Sequence, residues 1–276
     1  MKKIKSYISK IIKIIRKPVM SILPGQLAFS FVTAIIPILV LIAIIASTFS
    51  ISLKSIADFI SDSFPQAVSD MLLPLINGRG FDISIALFFI AAFYLASTGA
   101  YSIITAANVV YKVKQQRTIA KRIKSIIMTT FLILLILFMI FIPAFGDLIL
   151  NFLVNLKIFA NISDEMIVIY YILKYPLSFI FIYITLKIIY TIAPDKDIQS
   201  KSVTKGSLFT TMMWMLATQL YSYYVTNVVH YDLFYGSISN IIILLTWVYL
   251  LAYIFVIGLI INVGINDDDF VNNING

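Results

Sequence analysis

Residues 27–49 carry no charged side chain, and neither do residues 83–107. A bilayer core about 30 Å thick takes roughly 20 residues of helix, so each run is long enough to cross it. Four further runs read the same way. They are residues 126–152, with Asp147 near the end; 166–193, with Lys174 and Lys187; 203–229, with Lys205 at the start; and 237–266, which is uncharged. The apolar residues fill these runs evenly, whereas strands of a transmembrane barrel are short and alternate. The expected fold class is therefore all-α: a polytopic membrane protein with six transmembrane helices.

Composition excludes the soluble alternatives. Hydrophobic residues make up 61% of the 276 and charged residues 12%; soluble domains are about a quarter charged. An ordinary cytosolic enzyme, a disordered chain and a secreted disulfide scaffold do not fit. There is no cysteine and one histidine, His230. Disulfides, cysteine-based metal sites and thiol nucleophiles are thereby excluded. The first run is too long for the apolar segment of a signal peptide, which is about 7–15 residues, so it reads as a retained span.

Lysine and arginine in short loops orient such a chain. With six spans, 17 of the 21 basic residues fall on one side. They lie before the first span, between spans two and three (Lys112, Lys114, Arg117, Lys121, Arg122, Lys124), and around the loop between spans four and five. Lys54, Arg79 and Lys157 fall on the other side, and Lys174 lies within a span. Both termini are therefore expected in the cytoplasm, the chain crossing the membrane repeatedly.

Three regions follow. Residues 1–20 place Ile4, Ile8, Ile11 and Ile15 at helical spacing among lysines, the pattern of an amphipathic helix lying on the anionic inner surface. An isoleucine stripe serves no purpose in phosphate binding, so nucleic acid is not an expected partner. Residues 21–266 form the transmembrane domain, and 267–276 a short acidic cytoplasmic tail. Within the domain, residues 52–80 read as exterior amphipathic helices around Pro65. They either rest on the outer surface, the preferred reading, or cap a cavity mouth.

Polar side chains inside apolar spans point toward packed interfaces or cavities. Gln26, Ser30, Ser97, Asn108 and Asn262 share the inner half of their spans and are expected to line one inward-opening pocket. Lys174 and Asp147 lie at similar depth near the outer ends of spans four and three and are candidates for an intramembrane ion pair. Ala92, Ala96 and Ala100 form a stripe of small residues suited to helix packing. His230 and Asp232 lie among tyrosines that read as an interfacial aromatic belt. No catalytic constellation, metal-ligand spacing or cofactor motif is present in the sequence; the chain is expected to be no enzyme and to hold no cofactor or metal.

Three stretches resemble the YihY/BrkB family of bacterial inner-membrane proteins, formerly mislabelled as a ribonuclease. Gln26, Leu27, Ala28, Phe29, Ser30 and Phe31, followed by Ile36 and Pro37, resemble the family's first span. Ser97, Thr98, Gly99 and Ala100, then Asn108, Tyr111, Arg117 and Arg122, resemble its second conserved block. Ala193, Pro194 and Asp195, then Gly206, Trp214, Tyr224, Tyr231, Tyr235, Trp247, Tyr249, Gly258 and Asn262, resemble its third. The resemblance implies a six-span helical fold with cytoplasmic termini and an envelope role in transport or export, lipid included. It also exposes a departure: Ile260 stands where the family's last span carries glutamate, which puts proton coupling in doubt.

The function expected is transport or lipid handling, with membrane lipids as partners and a lipid or small solute as substrate. The alternative is a scaffolding membrane protein that docks envelope partners; self-association is left open. A ribonuclease does not fit, because no acid–base set is present and topology accounts for the basic loops.

Overall fold

The computed structural model describes residues 18–48, 57–58, 60–62, 66, 69–70, 73, 83–113, 118–134, 163–228 and 238–263. Every regular element among the described residues is helical. In chain order, α1 is Pro18–Thr48 and α2 Ile83–Val110. α3 comprises helical residues 118–134. α4 is Ser163–Ile192, α5 Thr204–Asn227 and α6 Ser239–Val263. Residues 1–17, the acidic tail, Asp147 and His230 lie outside the described residues. So does the side chain of Lys174, and with it the expected ion pair.

Helix is what an apolar run must form in hydrocarbon, since no water is there to bond a bare N–H or C=O. Among the described residues, three stretches are long and apolar enough to cross a membrane: Ile22–Leu39, Ile90–Val110 and Ser239–Val263. A shorter apolar stretch, Ser178–Ile192, belongs to α4. α5 is helical where the fifth run predicts, but Thr210, Thr211, Thr218, Gln219 and Ser222 lower its apolarity.

Local signals set the ends. Pro24 and Pro37 lie inside α1, each removing one intrahelical bond. At the end of α2, Val113 N–H donates to Asn108 C=O at 2.9 Å and Lys112 N–H to Val109 C=O at 3.2 Å. Lys112 itself has φ 53°, the left-handed conformation that closes such a helix end.

α6 is the hub. It packs on α1 and α5 and more lightly on α2; α1 in turn packs on α2, and α4 on α5. A helix apolar on every side belongs in the interior, and Ala252, Phe255, Val256 and Leu259 are all buried. The small-residue stripe of α2 is buried as well, with Ala92, Ala96 and Ala100 each under 5% exposed. Gly99, beside it, faces Ala34 of α1 closely enough that a β-carbon would stand 3.2 Å from the alanine methyl.

A line of hydrogen bonds joins α5 to α6. Gly206 N–H donates to Asn262 Oδ1 at 2.7 Å, and Trp214 Nε1–H to Leu251 C=O at 2.9 Å. Trp247 Nε1–H reaches Thr218 Oγ1 at 3.3 Å, and Tyr221 O–H donates to Ile243 C=O at 2.9 Å. As residue numbers rise in α5 they fall in α6, so the seam runs antiparallel from end to end. α4 joins near the Gly206–Asn262 end, where Tyr190 O–H donates to Phe255 C=O at 2.9 Å and pairs with Thr210 Oγ1 at 2.8 Å. Interhelical bonds of this kind contribute roughly 0.6–2 kcal/mol each.

Two glycines make this junction possible. A β-carbon on Gly206 would overlap the backbone oxygen of Gly258 and the Asn262 amide; one on Gly258 would overlap Thr210 Oγ1 and Tyr190 Oη. Gly206→Ala and Gly258→Ala are therefore expected to destabilise the protein in detergent by about 1–3 kcal/mol each, through overpacking. Gly25→Ala is the control. No atom lies within 4 Å of a β-carbon there, and its thermal unfolding temperature should stay level or rise, since alanine is the better helix former.

Candidate functional site

Two features converge on α2: an apolar cavity on one side and a basic cluster on another. The cavity has a volume of about 220 Å³. α1 contributes Phe31, Ala34, Ile35 and Ile38 to its wall; α2 contributes Ala96, Gly99, Ala100 and Ile103. Thr129 and Leu132 of α3, Trp214 of α5, and Trp247, Val248 and Leu251 of α6 complete it. Both indole N–H groups are spent on the α5–α6 seam, and the Thr129 hydroxyl donates to Ser125 C=O at 2.8 Å. Few polar atoms are thus left to hold water, and an apolar cavity of this kind stays dry and takes apolar guests.

The basic cluster comes from the first turns of α3. The sequence places Lys121, Arg122 and Lys124 in a loop; the structure places them on a helix packed against α2. Lys124 Nζ donates to Asp195 Oδ1 at 2.7 Å and to the carbonyls of Ala193 and Pro194, both at 2.9 Å. All three donors of the ammonium are used. The two carbonyls lie at the C-terminal end of α4, where the helix dipole favours a cation. Asp195, its side chain fully buried, also pairs with Asn108. Asn108 Nδ2 donates to Asp195 Oδ2 at 2.6 Å, and Asp195 N–H donates to Asn108 Oδ1 at 2.7 Å.

Arg122 and Lys124 are two residues apart and reach along α2 in opposite directions. Lys124 meets the level of Asn108. The Arg122 guanidinium donates to Tyr94 C=O at 2.6 Å and stacks 3.6 Å from the centroid of the Tyr94 ring. Tyr94 lies 14 residues before Asn108, about 21 Å along a helix. Lys121, buried, has its ammonium 4.2 Å from the centroid of the Tyr101 ring. Burial pulls that ammonium below the ordinary lysine range, and the Asp195 carboxylate pushes it back up. Tyr111, just past α2, has a buried hydroxyl without a hydrogen-bond partner, and burial pushes it up to about 12.

The residues expected to line one pocket part into separate pairs. Gln26 is exposed on α1. Ser30 accepts a 2.6 Å bond from Ser102 O–H of α2. Ser97, fully buried, donates to Tyr94 C=O of its own helix at 2.7 Å. Asn108 is held by Asp195, and Asn262 by Gly206. None of the five is among the residues lining the apolar cavity. Ile260 is buried in the core, so α6 carries no carboxylate. The residues that do surround the cavity are small or apolar, and no chemical type distinguishes them in the sequence from ordinary packing.

The described residues of the 52–80 segment share a pocket with α5. Ser61, Asp62, Gln66, Ser69 and Asp70 face Thr218, Gln219, Ser222, Tyr223 and Thr226 of α5 across a polar pocket of about 460 Å³. Ser69 O–H donates to Ile60 C=O at 3.1 Å, and Ile60 is fully buried.

Apolar helices around a buried charged network and a dry cavity define an all-α membrane protein. The family profile described as Virulence factor BrkB matches residues 16–273, and the chain belongs to that family. YfkH of Bacillus subtilis (strain 168), named as a ribonuclease-like protein, is 27% identical over 240 residues, 85% of this chain and 86% of that one. A UPF0761 membrane protein of Aeromonas salmonicida (strain A449) is 27% identical over 108 residues, 39% of this chain and 37% of its own. One of Idiomarina loihiensis is 28% identical over 80 residues, covering 29% of this chain and 28% of that one. No solved structure matches the chain.

The Lys124–Asp195 contact yields a prediction. Lys124→Met leaves a fully buried carboxylate without its cation, and breaking such a pair costs roughly 3–5 kcal/mol. Adding Asp195→Asn removes the stranded charge while an amide can still pair with Asn108. Thermal unfolding in detergent should show a large drop for Lys124→Met and recovery of most of it in the double variant.

Proposed function

We propose that the protein crosses the bacterial cytoplasmic membrane six times, with both termini inside, and handles lipid there as part of a transport or export process in the envelope. The observation that carries this reading is the apolar cavity of about 220 Å³ walled by five helices. A polar solute crossing a bilayer needs hydrogen-bonding partners along its path; this cavity offers few, and it suits part of an acyl chain. The absence of a carboxylate from α6 argues in the same direction, away from proton-driven solute uptake. Family membership supports a membrane setting, and the lipid role is our reading of the cavity.

The test is lipid retention by the purified full chain in detergent, read by native mass spectrometry. Wild type should keep phospholipid through delipidation. Ile35→Trp, which fills the cavity from α1, should lower retention about tenfold, the equivalent of ~1.4 kcal/mol. Wild type that keeps no lipid, or a filled cavity that keeps as much, would sink the reading.

The topology is tested separately. The chain has no cysteine, so Thr118→Cys and Gln199→Cys each provide a single thiol. Membrane-impermeant maleimide should label neither in intact cells and both after the inner membrane is opened. Labelling of either position from outside would overturn the six-span arrangement.

A further inference from the structure

We infer that Arg122, with Lys121 beside it, forms a binding site for the anionic headgroup of a phospholipid whose acyl chain occupies the apolar cavity. The inference rests on the lipid reading above and names the class of lipid. Arg122 belongs to one helix that walls the cavity and bonds to another. Along α3, Arg122 stands seven residues before Thr129, which lines the cavity; seven residues are two helical turns, about 10 Å on the same face. Across the interface, Arg122 donates to the carbonyl of Tyr94 of α2, the helix that lines the cavity with Ala96, Gly99, Ala100 and Ile103.

The chemistry of Arg122 differs from that of Lys124. Lys124 has spent every donor on Asp195 and the end of α4. Arg122 keeps a buried Nε–H with no hydrogen-bond partner. A buried unmade bond on a charged donor is costly, and a guanidinium's planar fork matches phosphate oxygens two at a time. The Asp195 carboxylate is bound to Lys124 and Asn108. The guanidinium carbon sits 3.6 Å over the centroid of the Tyr94 ring, a cation–π contact that helps hold it in place.

Access comes from the side. Tyr94 is 57% exposed and Leu95 52% exposed, so this flank of α2 meets surrounding lipid. A free phosphate could satisfy the guanidinium but would leave the adjoining cavity empty. A phospholipid occupies both at once. Cations held against the apolar length of a span mark functional positions in membrane proteins, because their desolvation must be offset.

The experiment uses the full chain in detergent with three probes: phosphatidylglycerol, phosphatidylcholine and soluble glycerol phosphate. Native mass spectrometry should show phosphatidylglycerol retained about tenfold better than phosphatidylcholine, the scale of one charge-assisted contact. Arg122→Gln should bring the two lipids to parity while phosphatidylcholine binding stays. Arg122→Lys, which keeps the charge but loses the fork, should give an intermediate ratio, and it reads the same question if the glutamine variant does not fold. Glycerol phosphate at equal concentration should displace neither lipid. Equal retention of both lipids by wild type, or an unchanged ratio in both variants, would overturn the headgroup site and leave the lipid cavity standing. Displacement by glycerol phosphate would make it a free-phosphate site and overturn the inference. Retention of no lipid at all would instead remove the lipid reading beneath it.

Discussion

The close approach of α5 and α6 at Gly206 and Gly258 is the contact on which the rest of the arrangement depends. In an apolar solvent helices gain little from hiding hydrocarbon, so they associate through close packing and interhelical hydrogen bonds. Here the two glycines let backbone meet backbone, Asn262 bonds the Gly206 N–H, and Tyr190 fills the space over Gly258. α6 is thereby fixed against α5 and α4 at one end. Trp214 and Trp247 carry the same seam outward, and their rings become part of the cavity wall. The cavity is then what remains where α1, α2 and α3 meet a seam they do not fill.

Charge is handled in the same frame. The end of α4 leaves carbonyl oxygens without intrahelical donors, a debt every helix C-terminus carries. Lys124 bonds two of them and Asp195 together, and Asn108 meets the other face of the same carboxylate. Three helices, α2, α3 and α4, are tied by this one network. It consumes Lys124 and Asp195 and leaves Arg122 turned the other way along α2 with a donor still unmade. The difference between the two cations is geometric, since residues two apart on a helix cannot face the same neighbour.

Much of this was legible in the chain. Long uncharged runs gave the helices, and the small residues Ala92, Ala96 and Ala100 gave a packing face of α2. Asn108 and Asn262 stood out as polar groups that an apolar span must bury with partners. The partners were not legible. Asn108 meets Asp195, 87 positions away, and Asn262 meets Gly206, 56 positions away; no spacing rule connects them. Ser30, Ser97, Asn108 and Asn262 each bond a different partner, and none of the five expected pocket residues lines the apolar cavity. The segment between α1 and α2 was legible as amphipathic, yet the pocket its described residues share with the C-terminal half of α5 depended on hydroxyls and amides of another helix.

By itself, then, the sequence determined the solvent and the class of element. A run without charge that is long enough to cross hydrocarbon must be helical there, whatever surrounds it, because every backbone bond has to close within the segment. What only the tertiary structure decided was which helix faces which. It turned the basic stretch at 121–124 from a loop into the flank of α2 and spent one lysine on a helix end. It held one arginine against α2 and made an apolar cavity from residues indistinguishable from core. Those outcomes are set by pairwise fit between distant surfaces, where a missing β-carbon at Gly206 or Gly258 weighs more than any periodicity.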